Sequence, residues 1–227
     1  MVDSSPIHNT MNELCQELIN DKWIKTTKVY DSMMLVDRAD FAPTNPYQNE
    51  PQTIGYNVVI SAPTLHAYCL EALKDFLTEG STVLDIGFGS GYLTVAMSKM
   101  MNDKGCVVGI EHIKDLYEWG MGNISKNHKN LLDEKKIELV LGDGRLGYKN
   151  KAPYKCIHVG AGARKVPEDI LKQLDCGGRL VMPLGHPDDQ YIYFIDKDLN
   201  GNVKYTKGLS VCYVLLTSVK NQLNNIE

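Results

Sequence analysis

The chain has 227 residues, more than the ~150 of a typical domain, so it holds one large domain or two small ones and no multidomain machine. With 43% hydrophobic and 23% charged residues it excludes collagen-like, low-complexity and wholly disordered classes. A net charge of −4, with the four arginines (Arg38, Arg145, Arg164 and Arg179) standing singly, argues against a surface that tracks nucleic-acid phosphates.

In chain order, Met1 to Thr10 includes Asp3 and no apolar run. Nowhere do about 18 consecutive apolar residues occur, so the expectation is a cytoplasmic protein with neither secretory signal nor membrane span. The sequon Asn123-Ile124-Ser125 is then a chance match. Met11 to Asp40 has helical spacing in two pieces, Leu14/Leu18 and Val29/Met33/Val36, followed by the loop Pro43 to Pro51, with no evident strand in this N-terminal part. Ser61 to Leu77 reads as an amphipathic helix capped by Ser61, with Pro63 in its first turn and an apolar stripe through Leu65, Tyr68, Cys69, Ala72, Leu73, Phe76 and Leu77.

From Ser81 the pattern changes. Val83–Ile86, Cys106–Ile110, Ile137–Leu141, Cys156–Val159 and Leu180–Pro183 read as strands, alternating with helices over Tyr92–Met101, Ile113–Lys126 and Pro167–Leu174. Tyr191–Ile195 and Val211–Leu216, joined across Asn200-Gly201, are expected to close the sheet as an antiparallel hairpin. The fold class is α/β, Rossmann-like: a mostly parallel seven-stranded sheet with helices on both faces. No linker divides the chain, so residues 1–227 form one domain, with a helical N-terminal substrate-side extension (1–79) and a cofactor-binding sheet core (80–227). Six scattered cysteines without C-x-x-C spacing read as free, mostly buried thiols.

Gly87-Phe88-Gly89-Ser90-Gly91 follows a strand and enters a helix, where an open parallel sheet binds its ligand. Glu111, twenty residues beyond Gly91 at the end of the next strand, suits a ribose diol. Gly142-Asp143-Gly144 after the third strand offers an acid for an adenine amine. Asp85 would face an α-amino group, because a carboxylate repels pyrophosphate. A nucleoside with an amino-acid tail is S-adenosyl-L-methionine, leaving S-adenosyl-L-homocysteine as product, and this places the sheet among class I methyltransferases. A nicotinamide dehydrogenase is the competing reading of the same glycines. No ligand cluster suggests a metal. The Asp196–Gly201 run, which mimics the start of a calcium loop, lacks its glutamate and reads as a hairpin turn.

More specific motifs lie upstream: Pro51-Gln52-Thr53-Ile54-Gly55-Tyr56, Val58-Val59-Ile60-Ser61-Ala62-Pro63 and His66-Ala67. With Asn45-Pro46-Tyr47, Gly142-Asp143-Gly144-Arg145, Ile157-His158-Val159-Gly160-Ala161 and Gly177-Gly178-Arg179-Leu180, the sequence resembles the protein-L-isoaspartate (D-aspartate) O-methyltransferases from about Met11 to Gln222. The resemblance implies methylation of the free carboxylate of L-isoaspartyl, and less so D-aspartyl, residues in damaged proteins and peptides. It implies Ser61 as the active-site serine, and cofactor contacts from Val58, Val59, Ile60, Ser61, His66, Asp85, Gly87, Phe88, Gly89, Gly91, Glu111, His112, Asp143, Gly144, Thr217 and Gln222. A monomer without nucleic-acid or membrane partners is expected.

The sequence departs from the family pattern at Phe88, where a small residue is usual and a ring is expected to narrow the cofactor pocket, at Val58-Val59 and at Thr64. Two other readings stay open: an adaptor that binds the cofactor and aspartyl groups without turnover, motivated by Phe88, and transfer to RNA, which needs a basic face.

Overall fold

The structure, a computed structural model, describes residues 8–224. The reading of residues 1–7 as free of an apolar run lies outside the described residues. Thr10 caps the first helix, α1 (Met11–Asn20), its side chain accepting from Glu13 N. Helix α2 (Thr27–Met34) follows, and both bury their apolar stripe: Leu14, Cys15, Leu18, Val29 and Met33.

Contrary to the strandless expectation, this part carries a hairpin, β1 (Gln52–Gly55) paired antiparallel with β2 (Val58–Ile60). Its two-residue turn places Tyr56 and Asn57 at φ 55° and 57°, the left-handed pair that a tight hairpin demands. Sequence reading expects Asn-Gly there, so Tyr-Asn gave no turn signal.

Helix α3 spans Pro63–Leu73, with Ala62 as its N-cap residue and no side-chain cap bond. Ser61 is therefore not the cap. Proline in the first turn has no N–H to satisfy, which lowers the need for one.

The core then alternates: β3 (Thr82–Ile86), α4 (Tyr92–Met100), β4 (Cys106–Glu111), α5 (Lys114–Asn127), α6 (Lys129–Asp133), β5 (Ile137–Leu141), β6 (Tyr154–Val159), α7 (Glu168–Gln173), β7 (Leu174–His186), β8 (Asp189–Lys197), β9 (Val203–Val211) and α8 (Val219–Asn224). The sheet order is β5-β4-β3-β6-β7-β8-β9, parallel from β5 through β7 and antiparallel across β7-β8-β9. The last strand is Val203–Val211, not Val211–Leu216. It is an edge strand with mostly exposed Lys204, Tyr205, Thr206 and Lys207, so it lacks the apolar run by which strands are recognised. The apolar run after it lies instead across the sheet end, tied by Gly162 N to Val214 O (2.8 Å) and Leu216 N to Gly162 O (2.7 Å).

Side chains alternate across the sheet. Val83, Val107, Cys156 and Val181 join a core with α1, α2, α3 and α4, while Leu84, Val108, Ile157 and Leu180 join a second core that includes Ile170 of α7. The N-terminal helices thus share one core with the sheet. Of the six cysteines, Cys15, Cys69 and Cys156 are buried, Cys106 is half-buried and Cys176 and Cys212 are exposed.

Candidate active site

Strand order reverses between β3 and β6, and the crevice at their carboxyl ends is where such sheets bind ligands. Gly160 N donates to Ile86 O (2.8 Å), bringing the turn after β6 beside the glycine loop after β3. Gly87 has φ +75°, and a Cβ there would come no nearer than 3.8 Å to another atom, so its backbone stands open to a ligand.

Two cavities meet here, sharing Val58, Gly87 and Gly160. One, of about 450 Å³, is lined by Ile110, Glu111, His112, Gly144, Thr217 and Gln222 among others. The other, of about 430 Å³, is lined by Val59, Ile60, Ser61, His66, Asp85, Phe88, Gly89 and His158 among others. All the residues expected at the cofactor site border one cavity or the other except Gly91 and Asp143. Gly91 is the N-cap of α4 at φ +88°, where a side chain would press on Ile124. Asp143 caps the following turn and is held by Arg145 through Nε (2.9 Å) and Nη2 (2.5 Å), which keeps its carboxyl below the usual range.

Glu111 is buried and lines the first cavity. Oε1 accepts from His112 N (2.8 Å) and Ile113 N (3.0 Å), and Oε2 accepts from Gly89 N (3.3 Å), so the carboxylate is fixed with acceptor capacity to spare. Gln222 of α8 lines the same cavity: Oε1 accepts from His112 Nε2 (2.7 Å) and Nε2 donates to Tyr56 O (3.2 Å) in the hairpin turn.

Asp85 and His158 are register partners on β3 and β6 and face the same side. His158 Nδ1 donates to Asp85 Oδ1 (2.8 Å), and Thr94 Oγ1 of α4 donates to Oδ2 (2.6 Å). Burial pushes His158 down, but its hydrogen bonds to Asp85 and Cys69, together with the charge of Asp85, outweigh this and raise it to about 10.

The Ser61 hydroxyl, released from capping, lies 3.3 Å from Tyr213 Oη. Tyr213 is fixed from behind by its N–H, which donates to Gln190 Oε1 (2.7 Å). His66 Nδ1 accepts from Arg38 Nη1 (3.2 Å), and the ring stacks on Tyr92 at 4.9 Å. Desolvation, reinforced by Arg38, lowers His66 well below 6.5 and leaves it neutral.

Phe88, expected to narrow the cofactor pocket, lines the second cavity and not the first. It packs against Tyr117 (5.9 Å, edge to face) in the space left by Gly109 and Gly120. Sequence reading missed Thr94, Arg38 and Tyr213. An isolated arginine between the apolar Val36 and Phe41 was the one available signal; the other two gave none. Asn123, dismissed with its sequon, is buried and donates to Ser90 O (3.2 Å), steadying the glycine loop.

A seven-stranded, Rossmann-like sheet with a glycine loop after its first parallel strand and a carboxylate at the end of the second defines a class I methyltransferase fold. The family model for protein-L-isoaspartate (D-aspartate) O-methyltransferases matches residues 9–221, and the chain belongs to that family. It is 42% identical over 216 residues to the protein-L-isoaspartate O-methyltransferase of Caenorhabditis elegans, covering 95% of this chain and 96% of that one. The Triticum aestivum relative is 42% identical over 217 residues, covering 94% of each. A crystal structure from Plasmodium falciparum carrying the same family description, in complex with S-adenosyl-L-homocysteine, superposes with a TM-score of 0.87 at 32% identity, covering 92% of this chain and 99% of that one.

Proposed function

We propose that this protein transfers a methyl group from S-adenosyl-L-methionine to the free carboxylate of L-isoaspartyl, and less readily D-aspartyl, residues in damaged proteins and peptides. The ester then collapses to a succinimide without enzymatic help. The observation that carries this reading is the junction of the two cavities: a side compatible with a nucleoside, braced by Glu111, opens at Gly87 and Gly160 into a side that holds the Ser61 hydroxyl.

The residues present fit the cofactor. The fixed carboxylate of Glu111 has spare acceptor positions, and the glycine backbone beside it is open. Glu111 would hold the ribose, Gly144 in the lining of the same cavity would border the base, and Asp85 with His66 would border the amino-acid tail. Bound there, the cofactor supplies an electrophilic methyl on a sulfonium.

The chain's own task is alignment. A peptide α-carboxylate, with a reference pKa of about 3.5, arrives ionised and needs no general base. Holding two reactants at attack distance is worth on the order of 7–11 kcal/mol. A neutral hydroxyl from Ser61 orients one carboxylate oxygen while leaving its nucleophilicity, whereas a bidentate arginine would quench it. Tyr213 keeps that hydroxyl in place, and burial pushes the phenol up so that it stays protonated. Neutralisation of opposite charges favours a water-poor site, and Ile60, Phe88 and Leu93 supply the apolar part of its lining.

Residues 1–79 are assigned to the substrate side and 80–227 to the cofactor core, because Ser61 and His66 come from the first part and the glycine loop from the second. We place the protein in the cytoplasm as a monomer; the free surface thiols Cys176 and Cys212 suit a reducing compartment. The deciding assay offers labelled S-adenosyl-L-methionine with an isoaspartyl peptide and its aspartyl twin. Methylation of the first alone is expected; methylation of neither removes the proposal. Cofactor binding without methyl transfer to either peptide would favour the adaptor reading instead.

A further inference from the structure

Directly behind Ser61 lies Arg38, with 0% of its surface exposed. Among the described residues, every group that its side chain meets in a hydrogen bond or ring contact is neutral. Nη2 donates to Ser61 O (2.8 Å), Nη1 donates to His66 Nδ1 (3.2 Å), the guanidinium sits 5.5 Å over the Tyr92 ring, and Nε has no partner. The acids beside it in sequence point elsewhere: Asp37 accepts from Tyr47 Oη and Ala39 N, and Asp40 accepts from Asn127. Asp85, the acid of the adjoining cavity, is already matched by His158. Burial lowers Arg38 to about 10, which leaves it cationic at neutral pH.

A buried cation without a counter-ion is among the costliest features a fold can carry, and a neutral side chain of similar volume would pack as well. A guanidinium only donates, so it also fixes the His66 tautomer with its proton on Nε2. The missing negative charge is the one a substrate carboxylate brings.

We propose that Arg38 is a positioning residue whose unneutralised charge, one layer behind Ser61, draws the ionised α-carboxylate of the substrate into the cavity and fixes the Ser61 backbone that receives it. The inference rests on the methyltransferase reading above. Acting through the Ser61 backbone rather than by contact, the charge attracts the carboxylate without occupying the lone pair that must attack. Esterification removes the substrate's charge, and with it the attraction, so the same group favours release of the methyl ester.

The test is a cycle of binding constants measured by calorimetry with S-adenosyl-L-homocysteine present. An isoaspartyl peptide and its α-carboxamide twin are each titrated into the wild-type chain, Arg38→Gln and Arg38→Lys. The wild type is expected to prefer the acid by roughly 10- to 30-fold, the attraction of unit charges several ångströms apart at an intermediate dielectric. Arg38→Gln is expected to lose most of that preference, while Arg38→Lys, which keeps the charge and loses the fork, retains it. A purely structural role would weaken both peptides alike and leave the preference intact; that result in a folded Arg38→Gln protein overturns the proposal. Should Arg38→Gln fail to fold, Arg38→Lys decides: a folded, cofactor-binding lysine variant that has lost the preference overturns it, and one that keeps it sustains it. A wild-type protein that binds but never methylates the isoaspartyl peptide overturns the function reading instead, a failure visible before any variant is made.

Discussion

The ring of Phe88 fills the space that Gly120 leaves by having no side chain. A Cβ on Gly120 would stand 2.7 Å from Phe88 Cε2 and overlap the Gly89 carbonyl oxygen, part of the loop that borders the cofactor cavity. Helix α5 thus meets the glycine loop through a contact with no room for a methyl group.

Gly120→Ala is therefore expected to destabilise the protein, although alanine is the better helix former by about 1 kcal/mol. Overpacking costs of about 1–3 kcal/mol outweigh that gain, and the displaced loop should weaken cofactor affinity. Thermal unfolding and titration of S-adenosyl-L-homocysteine test both effects; a stabilised variant with unchanged affinity would contradict the packing argument.

Ser61→Ala separates a structural serine from a functional one. A capping serine lost to alanine costs about 0.5–2 kcal/mol, but α3 takes no side-chain cap from Ser61. Stability is expected to stay within about 0.5 kcal/mol of wild type, as for substitutions that remove no structural feature. Turnover on an isoaspartyl peptide should fall by roughly 10- to 100-fold, the worth of one or two positioned hydrogen bonds. A large loss of stability with kcat unchanged would return Ser61 to the scaffold.

How much of this was legible in the sequence depended on whether a residue's role leaves a local pattern. Strands β3, β4, β6 and β7 were readable because both faces are buried over an apolar run, as in Val83–Ile86, and the edge strand β5 because it keeps Ile137, Leu139, Val140 and Leu141. Strand β9 was not, since an edge strand needs few apolar residues, and β1–β2 was hidden by its Tyr56-Asn57 turn. Glu111 was readable from its distance to the glycine loop. Tyr213 was not: its place beside Ser61, 152 positions away in sequence, comes from the strap that Gln190 and Gly162 tie across the sheet end.

The Asp85–His158 pair predicts a pH dependence with a definite sign. His158 is raised to about 10 in the folded chain, above the ~6.5 of an unfolded histidine. The folded state therefore holds a proton that the unfolded chain releases, so the stabilisation is complete below about pH 6.5 and fades as pH climbs toward 10. His158→Gln should lose about 3–5 kcal/mol at pH 6, the cost of removing one partner of a buried pair, and much less at pH 10. Urea midpoints of both proteins at pH 6, 8 and 10 check this; a gap that widens with pH would reverse the assignment.

At the nucleoside end, Glu111→Gln keeps the shape but places an amide against three backbone N–H groups that now meet a carboxylate. At least one donor then faces another donor, and the charged acceptor offered to the ribose is gone. Affinity for S-adenosyl-L-homocysteine should fall by roughly tenfold or more, since hydrogen bonds to charged groups are worth about 1.5–3 kcal/mol each. Unchanged calorimetric affinity would move the nucleoside away from Glu111.

Gln222 joins three parts of the chain distant in sequence: α8, the loop after β4 through His112, and the β1–β2 turn through Tyr56 O. Val58 of that hairpin and Gln222 itself line the first cavity, so on the proposed function the bridge would latch the hairpin over the nucleoside. Tyr56 adds a second tie through its hydroxyl to Asp115 at the start of α5. Gln222→Ala removes both side-chain bonds, each worth about 0.5–1.5 kcal/mol, by which α8 ties the hairpin turn to His112. Global stability should change little, because the hairpin belongs to neither core cluster beyond Ile60 and Ile54. The dissociation rate of S-adenosyl-L-homocysteine should rise by roughly 5- to 20-fold with a smaller change in association, since a loosened cover frees the bound state more than it speeds entry. Stopped-flow release from the variant and the wild type measures this directly, and equal dissociation rates would show that the hairpin covers the cavity without being latched.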